Sequence, residues 1–98
     1  MIENLFTVEY KDDNKAVIKL CDENHPIFKA HFPTKPILPG FINFEIVVKL
    51  FGIKITAVKR AKFLKLIHPN QTLTYLKKGD SFKVLCEDEN VANFILQS

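Results

Sequence analysis

His31, Gly40 and Glu45 are the residues whose types and spacing suit chemistry in this chain. His31 lies where Pro26, Pro33, Pro36 and Pro39 fall within fourteen residues, each fixing φ and removing a backbone donor. Its imidazole is therefore predicted on a stiff loop. Pro39-Gly40 opens the apolar run Phe41 to Phe51. A helix starting there presents free N–H groups and the positive end of its dipole, which favour developing negative charge. Glu45 lies inside that run, where low polarity favours a protonated carboxyl. A base, an oxyanion donor and a carboxylic acid suit removal of a proton α to a carbonyl with expulsion of a β-leaving group. Each residue alone has a plainer role: a surface histidine, a turn glycine, an ion-pair partner for Lys49 four residues on. Their combination with the proline framework favours the chemistry.

The elements that must position them follow from pattern. Leu5 to Tyr10 alternates as a strand, Lys11 to Lys15 turns, and Ala16 to Cys21 returns as its hairpin partner. The proline stretch is predicted to hold no regular structure, and His25 and His68, each before a proline, mark turns. Phe41 to Phe51 is predicted as a helix ended by Gly52, with eight of eleven residues apolar and spread all round, the pattern of a buried helix. Ile53 to Leu66 and Thr72 to Leu76 read as strands. After the turn at Lys77 to Asp80, Ser81 to Cys86 and Val91 to Leu96 form a hairpin across Glu87 to Asn90. One buried helix and these strands predict a single α+β domain over residues 1–98, an antiparallel sheet curled around the helix. Its open edge is where two copies would pair.

Composition excludes other classes. The chain has 98 residues, 47% of them hydrophobic and 26% charged, as in soluble globular domains. The longest apolar run, Phe41 to Ile55, is broken by Asn43, Glu45, Lys49 and Lys54, so no membrane insertion is expected. Met1 to Phe6 carries an acid and no basic segment, and Cys21 and Cys86 stand far apart, so a reducing cytoplasm is expected. There is no CxxC and no histidine at metal-ligand spacing, hence no predicted metal. One arginine and no phosphate-binding loop argue against nucleic acid.

The segment His31-Phe32-Pro33-x-x-Pro36-x-x-Pro39-Gly40, with an acid fourteen positions after the histidine, resembles the active-site segment of the β-hydroxyacyl-acyl carrier protein dehydratases. The match is dense over residues 25–45 and weaker through Arg60-Ala-Lys-Phe63 and the loop at Pro69. The resemblance implies the hot-dog fold, in which an antiparallel sheet wraps one long central helix, with active sites at a dimer interface. It implies that His31 takes a proton from C2 of a 3-hydroxyacyl thioester and that the Gly40 amide polarises the thioester carbonyl. Glu45 of the partner chain would protonate the departing C3 hydroxyl, leaving a trans-2-enoyl thioester. No metal or organic cofactor is implied. Phe28, Phe32, Pro39, Phe41 and Phe44 are the candidate acyl-binding residues.

The chain departs from that pattern at Ala30, where the family usually has glycine, and at Thr34-Lys35, which replace Gly-Asn. Lys49 stands where many members carry glutamine, and a lysine there favours ionised Glu45. The chain resembles the compact dehydratase-like proteins beside specialised lipid or polyene pathways more than the fatty-acid enzymes. The expected activity is a hydro-lyase on acyl carrier protein or coenzyme A thioesters, in a homodimer or higher even oligomer. The alternatives are a hot-dog acyl thioesterase, with Glu45 orienting water, and a non-catalytic module that binds an acylated carrier.

Charge distribution sharpens the partner. The formal net charge of +3 averages over an uneven chain. Residues 26–86 hold eleven Lys or Arg against only Glu45 and Asp80, while both flanking segments are acidic. An acidic carrier protein, or the phosphates of a pantetheine arm, would be drawn to such a surface, with Lys59, Arg60, Lys62 and Lys65 as the candidate docking residues.

Overall fold

The computed structural model of the chain describes residues 2–30 and 34–98. Six strands and two helices follow in the order β1 (Phe6–Lys11), β2 (Lys15–Leu20), α1 (Pro26–Ala30), α2 (Ile42–Phe51), β3 (Ala57–Phe63), β4 (Thr72–Lys78), β5 (Ser81–Cys86) and β6 (Glu89–Gln97). All strand pairs are antiparallel, in one sheet of order β1-β2-β4-β5-β6-β3. Strand alternation sends Ile18, Leu73, Tyr75, Val84 and Phe94 to one face, where they are buried with Ile42, Ile46, Val47 and Leu50 of α2. The helix thus lies against the sheet through side chains that four strands, β2, β4, β5 and β6, supply.

Turn chemistry explains the hairpins. Asp12 Oδ1 accepts the N–H groups of Asn14 and Lys15, each at 2.8 Å, closing the β1–β2 turn. Between β5 and β6 the turn is tighter than predicted: Cys86 pairs with Glu89, leaving Glu87 and Asp88, both with positive φ. The long predicted strand from Ile53 is regular only over β3. Pairing continues irregularly outside it, as Thr56 N–H donates to Gln97 O at 2.7 Å and Leu64 N–H to Val91 O at 2.9 Å.

Two expectations need correction. The proline stretch does contain regular structure, because Pro26 occupies the first turn of α1, where a missing N–H costs nothing. His25 caps this helix: its Nδ1 accepts the Ile27 N–H at 3.0 Å. That contact places the ring proton on Nε2, which donates to Glu3 O at 2.6 Å. His25 is therefore a buried structural tie between the N-terminal segment and α1, beyond the simple turn marker its sequence position indicated. Replacing it with alanine strands the two backbone groups, and His25→Ala should lower stability by about 1–3 kcal/mol in urea denaturation. An unchanged midpoint would remove the imidazole from this role.

Second, α2 is not buried all round. Gly52, at φ 61°, ends it in a left-handed cap whose N–H donates to Val48 O at 3.0 Å. One stripe, Ile42, Asn43, Ile46, Val47 and Leu50, faces the core. Phe41, Val48 and Lys49 face outward in the single chain. The outward apolar residues Phe41 and Val48 thus stand on the same side of the chain as the exposed edge strand β3, whose Val58 shares a groove with Val48.

Candidate active site

Backbone hydrogen bonds shape the entrance to α2. Leu38 N–H donates to Ile67 O at 2.7 Å, docking the proline segment onto the chain that follows β3. Ile42 N–H donates to Pro39 O at 3.0 Å and Asn43 N–H to Gly40 O at 3.1 Å. Among the described residues the Gly40 N–H, at the helix entrance, donates to no group. Close approach, and not a left-handed turn, is what favours glycine here. A Cβ at Gly40 would lie 2.9 Å from both Cε2 and Cζ of Phe63.

Behind Gly40 runs a buried polar chain. Asn43 Nδ2 donates to Gly40 O at 3.1 Å, and the Tyr75 hydroxyl donates to Asn43 Oδ1 at 2.6 Å. Both side chains are fully buried. Burial holds the Tyr75 hydroxyl well above the ordinary tyrosine range, so it is a neutral donor. Sequence reading noted Asn43 only as an interruption of an apolar run and did not single out Tyr75.

Glu45 sits in the first turn of α2, half-buried, and its Oε2 is buried without a hydrogen-bond partner. The ion pair with Lys49, the plainer alternative for this residue, is not formed. Glu45 and Lys49 instead line a groove of about 430 Å³ with Ile2, Phe44, Val48, Ile55 and Val58. Apart from those two residues its side chains are apolar, which suits an acyl chain or the apolar face of another polypeptide.

The other candidates separate. His31 and Phe32 lie outside the described residues. Pro39 is buried beside Gly40, and Phe41 is half exposed at the helix entrance. Phe44 lines the groove and meets Phe94 edge-on at 5.2 Å between ring centroids. Phe28 is wholly buried in the core, away from the groove.

The four basic residues do not form one patch. Arg60 and Lys62 pair with Ile95 and Asn93, so alternation sends them to the sheet face opposite α2, while Lys59 falls in a bulge between them and Val58. Lys65 is held by Glu89. Arg60 and Lys62 join Lys77, Lys78 and Lys83, none of which sequence position alone had grouped with them, around a second cavity of about 530 Å³. That larger cavity contains none of the groups at the α2 entrance.

Burial pushes the thiols of Cys21 and Cys86 up, so neither is poised as a thiolate nucleophile. Among the described residues no helix is long and apolar enough to cross a membrane.

Comparison with known proteins places this geometry. Residues 8–93 match the family model described as ApeI-like, ApeI dehydratase. A curated relative from Thermoanaerobacter sp. (strain X514), the 3-hydroxyacyl-[acyl-carrier-protein] dehydratase FabZ, is 30% identical over 91 residues, covering 79% of this chain and 64% of the relative. The protein of the same name from Coxiella burnetii (strain RSA 331 / Henzerling II) is 28% identical over 90 residues, covering 76% and 63%. The chain therefore spans less than two thirds of the length of these relatives. Among solved structures, the dehydratase heterocomplex ApeI:P from Xenorhabdus doucetiae aligns with a TM-score of 0.69 at 21% identity, covering 93% of this chain and 92% of that one. The E. coli PaaI protein from the phenylacetic acid degradation operon aligns at 0.62 and 16% identity, covering 97% and 83%. At these identities the likeness is one of fold, the α+β hot-dog arrangement.

Proposed function

The chain belongs to the ApeI-like dehydratase family, and we propose that it is a hydro-lyase converting 3-hydroxyacyl thioesters to trans-2-enoyl thioesters. The carrying observation is that, among the described residues, α2 opens on a Gly40 N–H with no acceptor and holds in its first turn a buried Glu45 oxygen with no partner beside an apolar groove, groups that two copies would bring together in one site. The dehydratase activity named for the FabZ relatives supports the same reading.

In this reaction His31 removes the C2 proton while the electron pair moves toward the thioester carbonyl. The Gly40 N–H stabilises the oxygen as it gains charge. The enolate then re-forms the carbonyl and expels the C3 hydroxyl, which takes a proton from Glu45 and leaves as water. His31 ends protonated and Glu45 ionised, so reversal through enoyl hydration uses the same groups in opposite states. The acyl chain occupies the groove lined by Phe44, Val48, Ile55 and Val58.

The reading includes a homodimer or higher even oligomer. The free edge of β3 and the outward residues Phe41, Val48 and Val58 supply its apolar surface, and Glu45 of one copy completes the site containing His31 of another. The acyl group arrives on acyl carrier protein or coenzyme A, with Arg60, Lys62 and Lys83 offering charge to an acidic carrier.

Purified protein incubated with a crotonyl pantetheine thioester tests the proposal. Loss of the enoyl absorbance, formation of the 3-hydroxy thioester and no free thiol are expected. Release of thiol with the enoyl chromophore intact would make the protein a thioesterase. Tight binding of an acylated carrier without turnover would make it a binding module.

A further inference from the structure

We infer that Asn43 and Tyr75 are positioning residues for the reaction, holding the peptide that follows Gly40 and so restricting rotation at the glycine whose N–H is the donor; this rests on the dehydratase reading above. Gly40 joins two peptide planes whose orientations set where its N–H points. The preceding plane is held at Pro39 O by the Ile42 N–H. The following plane is held at Gly40 O by two donors, the backbone N–H and the side-chain amide of Asn43, each at 3.1 Å. A glycine has the widest torsional freedom of any residue, so fixing both planes is what gives its N–H a single direction.

The side-chain chain runs only one way. Gly40 O can accept but not donate, so Nδ2 of Asn43 must face it and Oδ1 must face away. Oδ1 in turn requires a donor, and Tyr75, from β4 across the core, supplies its hydroxyl at 2.6 Å. A flipped amide would set two oxygens against each other at Gly40. Tyr75 thus selects the amide orientation, Asn43 transmits it, and Gly40 is the group held. A stable core does not need this pair, since two apolar residues of the same shape would fill the space without polar groups to satisfy.

That alternative supplies the test. Wild type, Tyr75→Phe and the double variant Tyr75→Phe/Asn43→Leu are assayed with the crotonyl pantetheine thioester, with urea denaturation in parallel. Tyr75→Phe is expected to lower kcat about tenfold with KM within about twofold, because the donor is misdirected while the groove is intact. The double variant leaves no buried amide unpaired and is expected to regain stability while kcat stays low. Leu96→Val, a buried change on β6 four residues beyond Ala92, which pairs with the Val84 that faces Tyr75, serves as the control for lost stability and should leave kcat unchanged. The amide resonance of Gly40 should shift in Tyr75→Phe and not in Leu96→Val. Unchanged kcat in Tyr75→Phe, or kcat that recovers with stability in the double variant, would make the pair structural and overturn the inference. Absence of turnover in the wild type would instead overturn the dehydratase reading, and the positioning role with it.

Discussion

Glu45→Gln is expected to lower turnover of the thioester by roughly a hundredfold to ten-thousandfold, the range spanned by a positioned acid or base. Glutamine keeps the shape and one carbonyl oxygen but has no acidic proton for the departing hydroxyl. The free protein should barely notice the change. Glu45 Oε2 has no hydrogen-bond partner to lose, and Lys49 is not bound to the carboxyl. What remains is the small worth of an acidic side chain in the first turn of a helix, so stability should fall by no more than about 1 kcal/mol. A large loss of activity with near-native stability is therefore the signature of an acid. His31→Ala should lose activity to a similar depth, because the reaction needs both proton transfers. If Glu45→Gln instead loses stability and keeps its turnover, the carboxyl belongs to the architecture. Lys49→Met separates a further possibility: were the lysine engaged with Glu45 during turnover, its removal would reproduce the loss seen in Glu45→Gln.

The same residues show where sequence reasoning reaches and where it stops. Local signals carried the fold well: Gly52 ends α2 in a left-handed cap, and period-two alternation places Ile18 and Val84 inward. Proline counting failed at residues 26–30, because a proline forbids helix interior and not helix entry, and because His25 supplies the cap that no usual capping residue announced. The all-round apolarity of Phe41 to Phe51 was real, yet it does not tell whether each face is covered by the chain's own sheet or by another copy. In the single chain the Phe41 and Val48 face stands open.

The site was legible as far as local spacing extends. Gly40 and Glu45 do fall at the start of one helix, as their positions implied. The tie from Asn43 to Tyr75 spans 32 residues and depends on β4 lying across α2, which only tertiary packing decides. The basic residues tell the same story. One bulge at Lys59 and one ion pair at Lys65 break up a cluster contiguous in sequence, while strand pairing gathers Lys62 and Lys83 on either side of Asn93.

Gly40→Ala is the second large expected effect, and its cause is as long-range. The backbone at Gly40 lies outside the left-handed region, so alanine meets no torsional penalty there. The added methyl would instead sit 2.9 Å from the Phe63 ring, which must move. Phe63 is 47% exposed, so its ring has room to swing outward and the protein should still fold. In swinging it leaves Phe44, whose ring centroid is 6.2 Å away and which lines the groove beside Glu45. Donor and groove are disturbed together, and kcat/KM should fall by about tenfold to a hundredfold. Because the methyl meets Phe63, shortening that side chain should relieve the strain. Gly40→Ala/Phe63→Val is expected to recover most of the lost activity, and Phe63→Val alone to cost less than Gly40→Ala alone. A double variant as inactive as Gly40→Ala would show that the methyl obstructs the thioester itself. A fully active Gly40→Ala would show that the ring yields freely and that the glycine was not needed. The first outcome would move the cause from the aromatic ring to the substrate's approach; the second would remove close packing as the reason a glycine stands before α2.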